Sequence, residues 1–247
     1  NNAHLLYYSV LPLIVAQVFQ RLLFVINNHY IAVLGKEALL IHNIQFSFLY
    51  IGQYIGAATG TSCLIFYQRE EYKHHQHAVF NFHMLLCFSA SLFFIILACF
   101  FTHTIMHYFS VPQNYVGMAV VYFNYGLFNL FLQAMYVCVF SVAIASGKEK
   151  QAACISMVMV FTTIFLNRIA VFDIFSGQHN TENVVIPFFM ITITNSVLLI
   201  IGIVILFFMN KQEKSSATSL PKKVVFKVWL SELVCGFLTG FYPIVYV

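Results

Sequence analysis

The chain has 247 residues, 61% of them apolar and only 8% charged, with a net charge of +4 and a mean hydropathy of +0.84. A water-soluble domain carries roughly a quarter charged residues, so that class is excluded. The small positive charge traces to a loop asymmetry described below and not to a nucleic-acid-binding face.

Apolar stretches longer than about 18 residues can cross a bilayer. Seven follow one another: Leu5–Leu34, Ala38–Tyr67, Ala78–Phe101, Val116–Ala145, Ala152–Phe175, Val184–Met209 and Val224–Val247. In hydrocarbon every backbone polar group must be bonded within its segment or in a closed barrel. Barrel strands are about 9–11 residues and alternate apolar with polar. Runs such as Leu92–Phe101 and Val197–Met209 do not alternate, so the expectation is an all-α polytopic membrane protein.

The first segment is too long and too rich in amides for a cleavable signal peptide. It carries Gln17, Gln20, Arg21, Asn27 and Asn28, with Gln17, Gln20 or Arg21, and Asn27 or Asn28 at helical spacing on roughly one face. Such a stripe suits the wall of a polar cavity, and equally amides that join neighbouring helices. The mid-segment depth of Arg21, too far in to snorkel easily, favours the cavity.

In the second segment, Gly52, Gly56 and Gly60 recur every four residues, a spacing that permits close helix contact or bending; contact is the better account. His42 and, in the third segment, His83 lie deep; His42 could titrate near neutrality, though a satisfied core histidine is the more frequent case. His74, His75 and His77, and the His103–His107 pair, lack ligand partners at diagnostic spacing and are expected to lie in solvated loops.

Segments four to six offer Asn124, Asn129, Gln133, Asn167 and Asn195, which suit solute binding or helix bridging equally. Asp173 is the one carboxylate within the first six segments, five residues after Arg168. It either exchanges a proton or cation, or it pairs structurally with Arg168 or simply sits at the interface, and a structural or interfacial role is the favoured account. Asn210–Lys223 is a polar, Ser-rich, basic linker closed by a proline. In the seventh segment Glu232 is expected to cap or pair near Lys227. The six cysteines all lie in apolar stretches without a CxxC, so packing is their expected role.

Arg69, Lys73, Lys148, Lys150, Lys211, Lys214, Lys222, Lys223 and Lys227 fall on one side of the bilayer, against Lys36 alone on the other. The positive-inside rule then places the N-terminus in the cytoplasm. The sequence opens on Asn1 and stops at Val247 inside an apolar run, so a larger parent protein is expected.

The stretch Phe24–His42, with Leu34-Gly35 and Glu37-Ala38-Leu39 at matching spacing and a small residue at Ala32, resembles the first-helix exit of the multidrug and toxic compound extrusion (MATE) family. Ile55-Gly56-Ala57-Ala58-Thr59-Gly60-Thr61-Ser62 is similar to that family's glycine-rich second-helix exit, and Asn167 to Gly177 to its fifth-helix exit. A weak match of the seventh segment to the first accords with a parallel repeat.

The resemblance implies a six-helix lobe of a 6+6 parallel-repeat transporter. Residues 1–209 would be the N-terminal lobe, 210–223 the cytoplasmic inter-lobe linker, and 224–247 the first helix of the second lobe. It implies a multi-pass, monomeric exporter in the cell's inner (plasma) membrane, moving organic, amphipathic or cationic compounds by alternating access. The coupling ion would be H+ or Na+, with no other cofactor and no metal. The implied binding residues are Gln17, Arg21, Asn27, Asn124, Asn167, Arg168 and Asp173.

Two departures stand out. Asn27 occupies a position where many members have an acid, and an amide cannot take up a proton at physiological pH, although its carbonyl can ligate sodium. The family's fifth-helix aspartate aligns with Val171, two residues before Asp173. A flippase for a lipid-linked or polysaccharide precursor and a non-transporting degenerate protein remain as alternatives. No HExxH, nucleophile elbow or phosphate-binding loop occurs in the sequence, so an enzyme is not expected.

Overall fold

The computed structural model describes residue 18 and residues 22–67, 69, 72, 76–173, 185–209 and 222–241, with backbone alone at 173, 185–188 and 238–241. These residues form seven α-helices and no strand: α1 (Leu22–Ala32), α2 (Lys36–Tyr67), α3 (Gln76–Tyr108), α4 (Val116–Ala145), α5 (Glu149–Arg168), α6 (Val185–Met209) and α7 (Lys222–Phe241). A 3-10 turn (Gln113–Tyr115) leads into α4, and a π turn (Ile169–Asp173) continues α5.

The joints follow from local chemistry. Between α1 and α2 the chain reverses through Gly35, whose φ of 118° is open to glycine and strained for other residues. α3 runs seven residues beyond the expected Phe101. Thr102 shows how a polar residue is absorbed there: its hydroxyl donates to the Ala98 carbonyl of its own helix at 2.9 Å. The run stops only where Ser110 enters the left-handed region, just before Pro112.

Four stretches are long and apolar enough to cross a membrane: Gln76–Tyr108, Gln113–Ala145, Glu149–Phe172 and Phe189–Met209. α2 and α7 match their expected segments in place but are more polar. α2 tolerates this because its polar residues point inward; His42, Gln45, Thr59 and Ser62 are all buried. α3 is the opposite case, with Leu85, Phe88, Phe93, Ile96 and Phe100 exposed on its outer face, a surface suited to lipid.

α4 is the central helix and packs on α2, α3 and α6. It lies against α2 along a parallel seam. A Cβ added to Gly52 would stand 2.5 Å from the Leu130 carbonyl oxygen, and one on Gly56 2.5 Å from that of Ala134. Gly60 faces the Ser141 side chain, and at the outer end the roles reverse, with the Gln45 side chain lying over Gly126. Close packing of this kind is what small residues every four positions provide inside a membrane.

The two ends of the bundle differ in charge. Cys63, Phe66, Tyr67, Val79, Val142 and Val225 form one apolar cluster, which brings together the end of α2, the start of α3, the end of α4 and the start of α7. Arg69, Lys148, Lys150, Lys222 and Lys223 all adjoin that end. Lys148 Nζ donates to the carbonyl of Met209 at the C-terminus of α6, where a cation is favoured by the helix dipole. Ile31, Ala38, Ile41, Met106, Val111, Ala119 and Val171 close the other end, where Lys36 lies.

α7 docks on α2. Trp229 and Leu233 join Ile55, Ala58, Cys87, Ala134 and Cys138 in a shared cluster, and the indole of Trp229 donates to Thr59 Oγ1 at 3.0 Å. Glu232, by contrast, makes no ion pair with Lys227; the ion pair present among the described residues joins Lys36 to Glu37. Five residues on a helix place two side chains about 140° apart, off one face.

Candidate functional site

Five helices converge on a cleft enclosing about 810 Å³ of free space, its open mouth included. α1 supplies Leu23, Phe24 and Asn27; α2 supplies Phe46, Leu49 and Gln53; α4 supplies Asn129, Gln133 and Tyr136. α5 adds Ser156, Met159, Val160 and Thr163, and α6 adds Asn195, Leu198 and Leu199. The wall combines apolar surface with neutral amides and hydroxyls, and none of these residues is charged. Polar groups at such depth are costly unless they bond one another or line a wet cavity.

Asn27 is held across the bundle: Asn167 Nδ2 donates to Asn27 Oδ1 at 3.0 Å. Both are buried, at 5% and 0% exposure. Asn167 Oδ1 has no hydrogen-bond partner, which leaves a buried acceptor open to a solute donor, a water or a cation. On the α4 side, Asn129 is fixed at both ends of its amide. Its Nδ2 donates to the Thr192 carbonyl at 3.3 Å, and its Oδ1 accepts from Ser196 Oγ at 2.6 Å. Phe24 stacks on Phe46 with centroids 4.5 Å apart, building part of the apolar wall.

The residues singled out from sequence part company here. Asn27 lines the cleft and Asn167 supports it from behind. Asn124 is exposed; its Oδ1 accepts from Thr102 Oγ1 at 3.0 Å, tying α4 to α3 away from the cleft. Arg168 is exposed and does not reach the lining. Gln17, Gln20 and Arg21 lie outside the described residues, as does the side chain of Asp173 and therefore any Arg168–Asp173 pair. Val171, the position aligned with the family's aspartate, is buried in the apolar end cluster.

Gln53, Tyr136, Ser156 and Thr163 line the cleft without having been singled out. A signal existed for two of them: Ser156 and Thr163 stand seven apart, and Asn167 follows Thr163 by four, so the three share a helix face.

The other polar residues have local partners. His83 Nε2 meets Ser62 Oγ at 3.0 Å and its Nδ1 meets the Val79 carbonyl at 2.8 Å. His42 Nδ1 lies 3.1 Å from the Tyr122 hydroxyl. Cys63, Cys87 and Cys138 are buried in apolar clusters as free thiols. Among the described residues no three His, Cys, Asp or Glu side chains converge; His74 and His75 lie outside them.

Comparison with known proteins gives the frame. No curated protein matches. Among solved structures, the Vibrio cholerae MATE transporter VcmN in its bent form superposes with a TM-score of 0.78 at 16% identity, over 97% of this chain and 54% of that one. A MOP superfamily transporter from Pyrococcus furiosus superposes with a TM-score of 0.72 at 15% identity, over 94% of this chain and 51% of that one. An outward-facing multidrug resistance MATE family transporter gives 0.73 at 14% identity, over 93% and 51%. The chain therefore shares the fold of these transporters and spans about half their length. The MatE family profile matches residues 12–169, more than half of the sequence, and the chain belongs to the MatE family.

Proposed function

We propose that this chain forms the first lobe of a secondary active transporter, exporting organic, amphipathic or cationic compounds by alternating access coupled to H+ or Na+. The observation that carries the reading is the cleft, an amide-lined, partly apolar recess inside a fold shared with MATE transporters. Neutral amides can exchange hydrogen bonds with many solutes, while Phe24, Phe46 and Leu49 offer apolar contact. Among the described residues the lining offers no ammonium or guanidinium, which weighs against an anionic lipid-linked precursor as cargo.

In this reading residues 1–209 are the lobe, 210–223 a cytoplasmic linker and 224–247 the first helix of a second lobe. The basic residues gathered at one end of the bundle support a cytoplasmic N-terminus in an inner (plasma) membrane. The protein works as a monomer, without metal, nucleic acid or enzymatic chemistry. Asn27 and Asn167 contribute amide oxygens suited to sodium or to a solute, and Gln17, Arg21 and Asp173 complete the polar path.

The test is uptake of a fluorescent organic cation by proteoliposomes holding the full-length protein, under an imposed pH or sodium gradient. Gradient-driven uptake that is lost in Asp173→Asn places coupling in this lobe; uptake that survives moves it elsewhere. No uptake under either gradient refutes the exporter. If a lipid-linked precursor then moves, and Arg21→Gln with Arg168→Gln stops it, the flippase reading replaces it.

A further inference from the structure

Resting on the exporter reading, we propose that His42 is the proton-carrying side chain of this lobe, taking up a proton at Nε2 from the end of the bundle opposite the basic loops and signalling it to the cleft through Tyr122.

Three observations converge. His42 is 4% exposed, and its Nε2 is buried without a hydrogen-bond partner. Its other nitrogen is engaged, 3.1 Å from the hydroxyl of Tyr122 on α4. From that hydroxyl a polar path leads inward. Thr192 on α6 lies beside Tyr122, its hydroxyl buried without a hydrogen-bond partner; the Thr192 carbonyl accepts from Asn129 Nδ2 at 3.3 Å, and Asn129 lines the cleft. Phe46, with its ring centroid 6.1 Å from that of His42, also lines it and stacks on Phe24.

The tautomer that carries hydrogen on Nδ1 donates to the Tyr122 oxygen and leaves Nε2 as a bare acceptor. A proton arriving from water on Nε2 gives the imidazolium with no other bond made or broken, and leaves by the same atom. The described packing offers that cation no carboxylate. Tyr122 faces it from α4, and Phe46 on its own helix is apolar. The other titratable groups near this end are Lys36 and Glu37 on α2, paired with each other at 3.8 Å, His29 and Tyr30 on α1, His103 and His107 on α3, Tyr115 ahead of α4, and Arg168 at the end of α5. An unpaired buried charge is costly, so the packing described here holds neutral His42, and protonation shifts the population towards an arrangement that hydrates Nε2. The position suits this. Further in, Gly52 and Gly56 of α2 meet the backbone of α4, whereas nearer His42 side chains make the contact, His42 on Tyr122 and Gln45 over Gly126. The lobe thus has a titratable group bonded to Tyr122, which neighbours Thr192 at the edge of the cleft network, while Asn27 and Asn167 cannot titrate.

The experiment uses full-length protein, with ethidium as probe. His42→Asn keeps a polar atom near the Nδ1 position and removes titration; Tyr122→Phe breaks the path while keeping the ring. Three quantities are measured: ethidium exchange without a gradient, uptake driven by a pH gradient, and protons released on ethidium binding in weak buffer. The wild type is expected to show all three. His42→Asn is expected to keep exchange within about twofold and to lose at least about tenfold of gradient-driven uptake together with the proton release. Tyr122→Phe is expected to keep proton uptake but lose the drive. Gradient-driven uptake and proton release unchanged in His42→Asn overturn the proposal and leave exporter function standing. A wild type that exchanges ethidium but ignores the pH gradient overturns it as well, and a wild type that moves nothing overturns both. Should either variant misfold, histidine-labelled NMR of the wild type decides: an imidazole in contact with Tyr122 that does not titrate between about pH 4 and 9 overturns the assignment.

Discussion

The indole nitrogen of Trp229 donates to the hydroxyl of Thr59 at 3.0 Å, joining α7 to α2 across 170 residues of sequence. Thr59 in turn donates to the Ile55 carbonyl of its own helix at 2.6 Å, so its oxygen is held in place for the indole. Thr59→Val keeps the shape and strands a buried N–H. Interhelical hydrogen bonds in membranes are worth about 0.6–2 kcal/mol, and stability should fall by that order. Trp229 is the single tryptophan of these 247 residues, and the difference in emission between variant and wild type reports on this contact. A red-shifted, more quenchable emission in Thr59→Val, restored in Thr59→Ser, is the expected result; an unchanged spectrum would show that the contact does not hold α7.

The glycine seam makes a paired prediction. Gly56→Ala places a methyl 2.5 Å from the Ala134 carbonyl oxygen and 2.7 Å from the Val137 side chain, which overpacking rules put at about 1–3 kcal/mol of destabilisation. Gly117→Ala, in the first turn of α4 with nothing within 4 Å, should stabilise by roughly 0.5–1 kcal/mol through helix propensity. Thermal unfolding of both variants in one detergent gives the comparison its sign.

Asn27→Leu removes the acceptor of Asn167 Nδ2 and leaves that amide buried and unbonded, at a cost of about 1–3 kcal/mol. Asn27→Asp keeps the acceptor and adds a group that can take up a proton. Binding of an organic cation should gain in Asn27→Asp a pH dependence beyond that of the wild type, weakening as acid neutralises the carboxylate. Equal pH profiles for the two proteins would argue that position 27 does not face the bound solute.

Asn129→Leu and Asn124→Leu separate cleft from surface. The first deletes a lining amide held by Ser196 and Thr192, and should weaken solute binding by about tenfold, the scale of one lost hydrogen bond in a buried site. The second touches only the Thr102 contact and should leave affinity within about twofold. Fluorescence titration of the purified proteins measures both, and comparable losses would contradict the placement of the cleft.

Much of the helical layout was legible because apolar length dictates it in a bilayer: α4 occupies Val116–Ala145 as expected, and α6 ends at Met209 as expected. The overrun of α3 was hidden because His and Thr read as a loop, while threonine hydroxyls bond within the helix. The site was legible only where helical spacing was applied strictly. Asn129 and Gln133, four apart, share a face and line the cleft, whereas Asn124, five before Asn129, points to the other side. Asn167 and Arg168 are neighbours about 100° apart; the amide turns inward and the guanidinium outward. What no local rule supplies is partnership. Asn27 meets Asn167 across 140 residues, and His42 meets Tyr122 across 80.

The seam between α2 and α4 also limits how this lobe can move. Where backbone rests on backbone, at Gly52 and Gly56, there is no slack to slide or splay, so the middle of the helix pair behaves as a stiff keel. Any stroke that opens the cleft first to one face of the membrane and then to the other must pivot on that keel. The parts free to swing are the outermost turns of α2 and α4, together with α1, α5 and α6, which border the cleft without being locked into the glycine contacts.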